Sequence, residues 1–224
     1  MKTDLKAISW ALKGLVVLGG LLFWPADTFN YWQAWVFIAV FTFATIVPSM
    51  YLGRTDPAAL QRRMHHGPRA ETRAVQKIII VGVFLGLFAM MALSAFDHRF
   101  GWSPVPAAVC VIGDVLGVAG LCIGMLVVTQ NSYAAATVRV EAEQKLASRG
   151  LYKFVRHPMY AGSLFLMLGI PLALGSYWGL LLIIPGLLVL VFRILDEEKL
   201  LSQELAGYRE YKQRVHFRLV PYVW

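Results

Sequence analysis

The sequence predicts an all-α, polytopic membrane helix bundle, and three observations carry that reading. Of 224 residues, 58% are hydrophobic and only 15% charged, whereas a soluble domain carries roughly a quarter charged residues. The apolar residues are gathered into six long runs. The basic residues fall almost entirely in every second gap between those runs.

The runs cover 8–24, 31–51, 75–96, 104–128, 159–174 and 177–194, against the roughly 20 residues that a bilayer requires of a helix. Six spans are the best count. The first, fifth and sixth runs are short, so 159–194 also reads as a tilted or partly interfacial helical hairpin. In a six-span arrangement 20 of the 21 Lys and Arg residues share one side and Arg99 alone lies on the other. The positive-inside rule then places both termini in the cytoplasm. The net charge of +8 is in this reading topological, suited to anionic lipid headgroups and not to a nucleic-acid partner. Met1-Lys2-Thr3-Asp4 precedes no recognisable cleavage site, so the first span is expected to be retained.

With no Pro, Gly or Ser linker and no internal repeat, residues 1–224 read as a single membrane domain. Residues 1–128 form an N-terminal transmembrane scaffold. Gly82 and Gly86, Gly113 and Gly117, and Gly120 and Gly124 are small-residue pairs at four-residue spacing. They predict close packing of the third span on the fourth, with a dimer face as the alternative. Asp114 falls near the outer end of the fourth span and is expected to be solvated or capped. Cys110 and Cys122 lie on one helix, too far apart to pair, and read as packed thiols. In the loop 52–77, Thr55 or Asp56 caps a short interfacial helix from Pro57 to about Met64. His65-His66 has no further ligand at metal-binding spacing and reads as part of a solvated basic collar.

Residues 129–224 hold nearly all the remaining polar residues and form the candidate catalytic region. The alternation at Thr137-Val138-Arg139-Val140 predicts a short extended piece, and Gly150 a turn. This polar backbone cannot lie in lipid, so it caps helix ends or lines a wet cavity. Pro158 suits the first turn of a helix, which puts His157 at its entrance beside free amides that favour an anion. Tyr160 follows on the same helix. An interfacial collar of Arg156, His157 and Tyr160 is the plain alternative. Arg193 and Glu197, four apart, share one helix face, either as an intrahelical ion pair or with Arg193 left for a substrate anion. Tyr208 and Tyr211 begin an amphipathic helix that folds back under the bundle.

Gln144-Lys145-Leu146-Ala147, Gly150-Leu-Tyr152, Arg-His-Pro-Met-Tyr at 156–160, Arg193 with Glu-Glu-Lys-Leu-Leu at 197–201, and Tyr208-x-x-Tyr211 through Arg218-Leu-x-Pro221 together resemble the isoprenylcysteine carboxyl methyltransferase family over roughly 130–224. The resemblance implies a membrane-embedded enzyme that moves a methyl group from S-adenosyl-L-methionine to a lipidic or small hydrophobic acceptor, by family a carboxylate. It implies cofactor-binding roles for Gln144, Lys145, Leu146, Ala147, Tyr152, His157, Pro158, Met159, Tyr160 and Glu197. It makes Arg193 the substrate-binding residue, with Arg193 and Glu197 the catalytic pair and no metal. Gln144 and Thr137 stand where relatives carry other polar side chains. The chain's brevity suggests a prokaryotic plasma membrane enzyme. Two further readings stand beside it: a sterol-type reductase using NADPH, and a non-catalytic membrane scaffold or transporter.

Overall fold

The computed structural model describes residues 2–64, 67–71, 73–134, 137–141 and 143–224, with side chains from residue 13 onward. Eight α-helices are described: α1 Lys2–Ala26, α2 Trp32–Thr55, α3 Pro57–Met64, α4 Ala74–Phe100, α5 Ala107–Gln130, α6 Pro158–Ala173, α7 Ile183–Glu204 and α8 Tyr208–Arg214. Among the described residues there is no β-strand. Each predicted apolar run lies on one helix. The helical path through the sixth run is longer than the run itself: a 3-10 turn over Trp178–Leu182 leads into α7, which continues past the apolar residues through Asp196, Glu197 and Glu198. Four helical segments, Trp32–Thr55, Ala74–Phe100, Ala107–Gln130 and Trp178–Glu204, are long and apolar enough to cross a membrane. α6 has 16 residues and so is about 24 Å long, shorter than a ~30 Å hydrocarbon core.

Large apolar side chains face outward along the bundle: Trp24 is 85% exposed, Ile78 74% and Phe43 71%. A face of this size is a liability in water and is what a bilayer solvates. Inside, Leu22, Phe37, Met91, Ile170 and Leu174 join α1, α2, α4 and the end of α6 in one core.

Glycine packing differs from the expected pairing of the third and fourth spans. The close approach is between α5 and α6. A Cβ on Gly113 would lie 2.2 Å from the Ala173 nitrogen, and one on Gly120 would lie 2.6 Å from the Gly162 carbonyl oxygen. Gly169 and Gly162 of α6 meet α5 backbone in turn. The seam therefore uses a seven-residue repeat of glycine on both helices, while Gly117 and Gly124 have open space where a Cβ would stand. Gly82 faces Val189 of α7 instead.

The end of the bundle bearing Arg99 is locked by polar contacts. Tyr31 is fully buried and donates to the Leu174 carbonyl at 2.6 Å. Asp97 accepts from Ser103 N–H and Oγ at 2.8 and 2.7 Å and from the Ser176 hydroxyl. Asp114 lies toward the expected end of its span but differs in its surroundings. It sits two turns into α5, half-buried, with Oδ1 enclosed and unpartnered, neither capped nor freely solvated. Cys110 is buried, Cys122 exposed, and both are free.

Candidate active site

At the opposite end the hairpin of α6 and α7 opens into a cavity of about 90 Å³, and described loop residues, among them Asn131, Thr137, Val138 and Gln144, are folded over it. Local sequence explains how the loops are held. Asp56 caps α3 through Oδ1, which accepts from Ala59 N–H at 2.9 Å. Its Oδ2 accepts from the Ser132 hydroxyl at 2.7 Å. One short side chain thus starts α3 and pins the segment after α5, while its own backbone N–H closes α2 on the Leu52 carbonyl, and the side-chain hydrogen bonds hold its carboxyl below the usual carboxylate range. Arg62 of α3 completes the clamp: Nε lies 3.2 Å from both Glu141 carboxylate oxygens, and the guanidinium lies 4.6 Å from the centre of the Tyr133 ring. Arg62 in turn keeps the Glu141 carboxyl below its ordinary value.

The predicted turn at Gly150 has φ of 61° and opens a 3-10 turn, Gly150–Lys153. A side chain there would be in a strained region and would strike Gln130, whose Oε1 accepts from Leu151 N–H at 2.8 Å. Tyr152 is thereby aimed inward. Its hydroxyl accepts from Asn131 Nδ2 at 3.1 Å and its carbonyl accepts from the Tyr211 hydroxyl at 2.7 Å. Burial pushes the Tyr152 phenol up to about 12 and raises those of Tyr208 and Tyr211 as well.

Pro158 occupies the first turn of α6 and His157 is its N-cap residue. The entrance is anchored to the chain's last segment, since Arg156 N–H donates to the Phe217 carbonyl and His157 N–H to that of Arg218, each at 2.9 Å. The His157 ring stacks on Tyr160 with centroids 5.6 Å apart. Its Nε2 lies 3.3 Å from Glu198 Oε1, so the buried imidazole already has a carboxylate partner within the protein.

Adjacent acids on a helix point about 100° apart, and Glu197 and Glu198 have different partners accordingly. Glu198 is 3% exposed and gathers cations: Arg156 Nε at 2.7 Å, Arg218 Nε at 3.1 Å and Lys212 Nζ at 3.7 Å, besides His157. Glu197 turns into the cavity, where its Oε2 accepts from the Tyr160 hydroxyl at 2.6 Å. Tyr160 Oη accepts in turn from Arg193 Nε at 2.9 Å. Tyr160 therefore bridges the two residues that the sequence placed on one face of α7. Arg193 is 5% exposed; it also donates to Gln76 Oε1 at 3.1 Å and to Glu71 Oε1 at 3.3 Å.

Of the predicted cofactor residues, Gln144, Leu146, Ala147, Tyr152, His157, Pro158, Met159, Tyr160 and Glu197 line the cavity. Lys145 is exposed and lies outside the lining, as does Arg193, which stands behind Tyr160. Residues 137–141 are non-helical and pair with no strand among the described residues. Thr137 and Tyr208 line the same cavity, and each has a buried hydroxyl oxygen without a hydrogen-bond partner. Sequence reading missed Asn131, Tyr133, Tyr208 and Tyr211 as lining residues, and it missed Glu198 and Glu71 as partners of the motif cations. Glu198 had a visible signal in its place in the doubled acid, and Tyr208 and Tyr211 in their helical spacing. His65-His66 lies outside the described residues. Among the described residues no three metal-ligating side chains come together.

Residues 109–206, which span most of α5, all of α6 and α7 and the intervening loop, match the model of a family described as phospholipid methyltransferase. No curated protein matches the sequence significantly. Among solved structures, the eukaryotic intramembrane Ras methyltransferase ICMT (isoprenylcysteine carboxyl methyltransferase) is similar at 14% identity and a TM-score of 0.46, over 99% of this chain and 86% of that one.

Proposed function

We propose, for a chain whose residues 109–206 match the phospholipid methyltransferase family model, that it is a membrane methyltransferase whose cavity binds S-adenosyl-L-methionine and presents its methyl group to a lipidic or small hydrophobic acceptor. In this reading residues 129–224 are the catalytic part of a single membrane domain, and the cavity faces the cytoplasm.

The observation that carries the proposal is the lining itself. The lining presents a carboxylate, Glu197, together with an imidazole at a helix entrance, His157, and the Arg156 guanidinium, these last two also facing Glu198. A ligand bearing both an ammonium and a carboxylate requires such a pair of opposed charges. The unpartnered hydroxyls of Thr137 and Tyr208 support the same reading, because buried polar groups are normally satisfied and a polar ligand would satisfy them. The cavity's 90 Å³ is below the roughly 300–1,000 Å³ of small-molecule sites. In this reading binding moves the wall built by Thr137, Val138 and Leu146, which belong to no helix.

The donor supplies an activated methyl group for in-line displacement. The chain's own residues supply alignment and exclusion of water. Leu201, Leu205 and Met159 make the cavity dry on the α7 side. Glu197 and Tyr160 hold one hydrogen-bonded edge of it, and Arg193 fixes the Tyr160 hydroxyl in that direction. Arg193, on the far side of Tyr160, is the cation placed nearest an acceptor head group arriving from between the helices. An acceptor carboxylate there would share Arg193 with Glu71.

The experiment is incubation of protein in vesicles with a total lipid extract and methyl-labelled S-adenosylmethionine, with mass identification of the product. Label is expected in one lipid class with the wild type, and at a rate at least about 100-fold lower with Glu197→Gln, given what a positioned polar group contributes. Equal incorporation by wild type and variant would remove Glu197 from the mechanism.

A further inference from the structure

We infer that Glu71 is a positioning residue that couples the loop wall of the cavity to the Arg193 guanidinium. The inference rests on the reading of the cavity given above. Glu71 comes from the loop before α4, outside the region that carries the motifs, and is 2% exposed. Its two carboxylate oxygens are divided between two segments far apart in sequence. Oε2 accepts from Val138 N–H at 3.1 Å, and Oε1 lies 3.3 Å from both terminal nitrogens of Arg193. Val138 lines the cavity, and Arg193 does not.

Arg193 is thus joined to the cavity by two routes. Through Tyr160 it reaches Glu197 on the helical wall, and through Glu71 it reaches Val138 on the loop wall. The helical wall is held by the packing of α6 on α7. The loop wall is the one that yields to a ligand, and when Val138 moves, Glu71 moves with it or lets it go. A carboxylate suits this task because it is an acceptor on both oxygens. An amide of the same shape is not: in Glu71→Gln one arm keeps a carbonyl, and the other sets NH2 against the N–H of Val138 or of Arg193. The substitution therefore cuts one arm with little change in volume.

The test is backbone hydrogen exchange of residues 137–141 in ligand-free protein held in lipid nanodiscs, for wild type, Glu71→Gln, Arg193→Lys and the double variant. Lysine cannot serve Tyr160 and Glu71 together, since it lacks the planar fork. Exchange in 137–141 is expected to quicken about tenfold in each single variant, the scale of one lost charge-assisted hydrogen bond. It is expected to be no faster in the double variant, while exchange within α5 and α6 stays as in wild type. A purely local structural role predicts effects that add. If Glu71→Gln does not fold, Glu71→Asp, which keeps the charge and loses the reach, serves in its place. Unchanged exchange in 137–141, or effects that add, overturns the coupling. In the same samples, S-adenosylmethionine is expected to slow exchange of 137–141 in wild type. A wild type indifferent to S-adenosylmethionine counts against the assigned ligand, while the ligand-free comparison still decides the role of Glu71.

Discussion

At the scale of the residue, the site is organised by two acids that neighbour one another in sequence and differ in burial and partners. Glu198, with its side chain 4% exposed beside the equally buried Arg156, is a structural carboxylate. Removing one member of such a pair strands the other charge in a dry place and costs about 3–5 kcal/mol. Glu198→Ala is therefore expected to lower the thermal midpoint in detergent by several degrees or to prevent folding. Glu197→Gln is expected to leave that midpoint within about 2 °C and to act on ligand binding alone. Reversed effects would exchange the two assignments. The residues of the Arg-His-Pro-Met-Tyr and Glu-Glu motifs were legible in sequence because their chemistry is expensive in an apolar setting and so calls for partners. Which partner each one takes was not legible. His157 and Glu198 are 41 positions apart, Arg193 and Glu71 122 apart, and no helical periodicity reports on such pairs.

At the scale of the element, six helices could be read from apolar length, and α3 from Pro57 and the capping acid before it. The partners of the glycine faces could not. Four-residue spacing marks a face able to pack closely and leaves open which helix packs on it, and here α6 takes the place expected of the third span. Gly113→Ala is expected to force α5 from α6 and cost about 1–3 kcal/mol, because its Cβ would meet backbone. Gly117→Ala, with open space at the same helix, should be tolerated or slightly stabilising. Thermal midpoints of the two variants in one detergent check this, and equal losses would contradict the seam. The α3 clamp makes its own prediction with pH. Glu141 is held below its ordinary value by Arg62, so the contact contributes fully above the unfolded carboxyl value near 4.3 and is lost as pH falls through the lower folded value. Glu141→Gln should accordingly weaken ligand binding at pH 7, by a factor that is constant from pH 5 to 8 and shrinks below about pH 4. A factor that changes between pH 6 and 8 would assign the contact to another group.

At the scale of the whole molecule, a lipid-facing belt surrounds two polar ends of different kinds. The end near Arg99 is closed by Tyr31, Asp97 and Ser176. The other end is open and basic, with a cavity lined by residues between Asn131 and Tyr211 and braced at Val138 by Glu71 from the first half of the sequence. By the positive-inside rule we propose that this end faces the cytoplasm. A cysteine introduced at Lys145 should be shielded from an impermeant thiol reagent in intact cells and labelled after lysis, whereas one at Asp27 should be labelled in both. The converse pattern would invert the molecule. The central claim, that the open end is a methyl-donor site, is tested most directly by calorimetric titration of S-adenosylmethionine into the folded protein in nanodiscs. Saturable binding of one molecule per chain is predicted, weakened at least about tenfold by Glu197→Gln, the loss of one charge-assisted contact. Absence of binding to a wild type whose thermal unfolding is cooperative would contradict it.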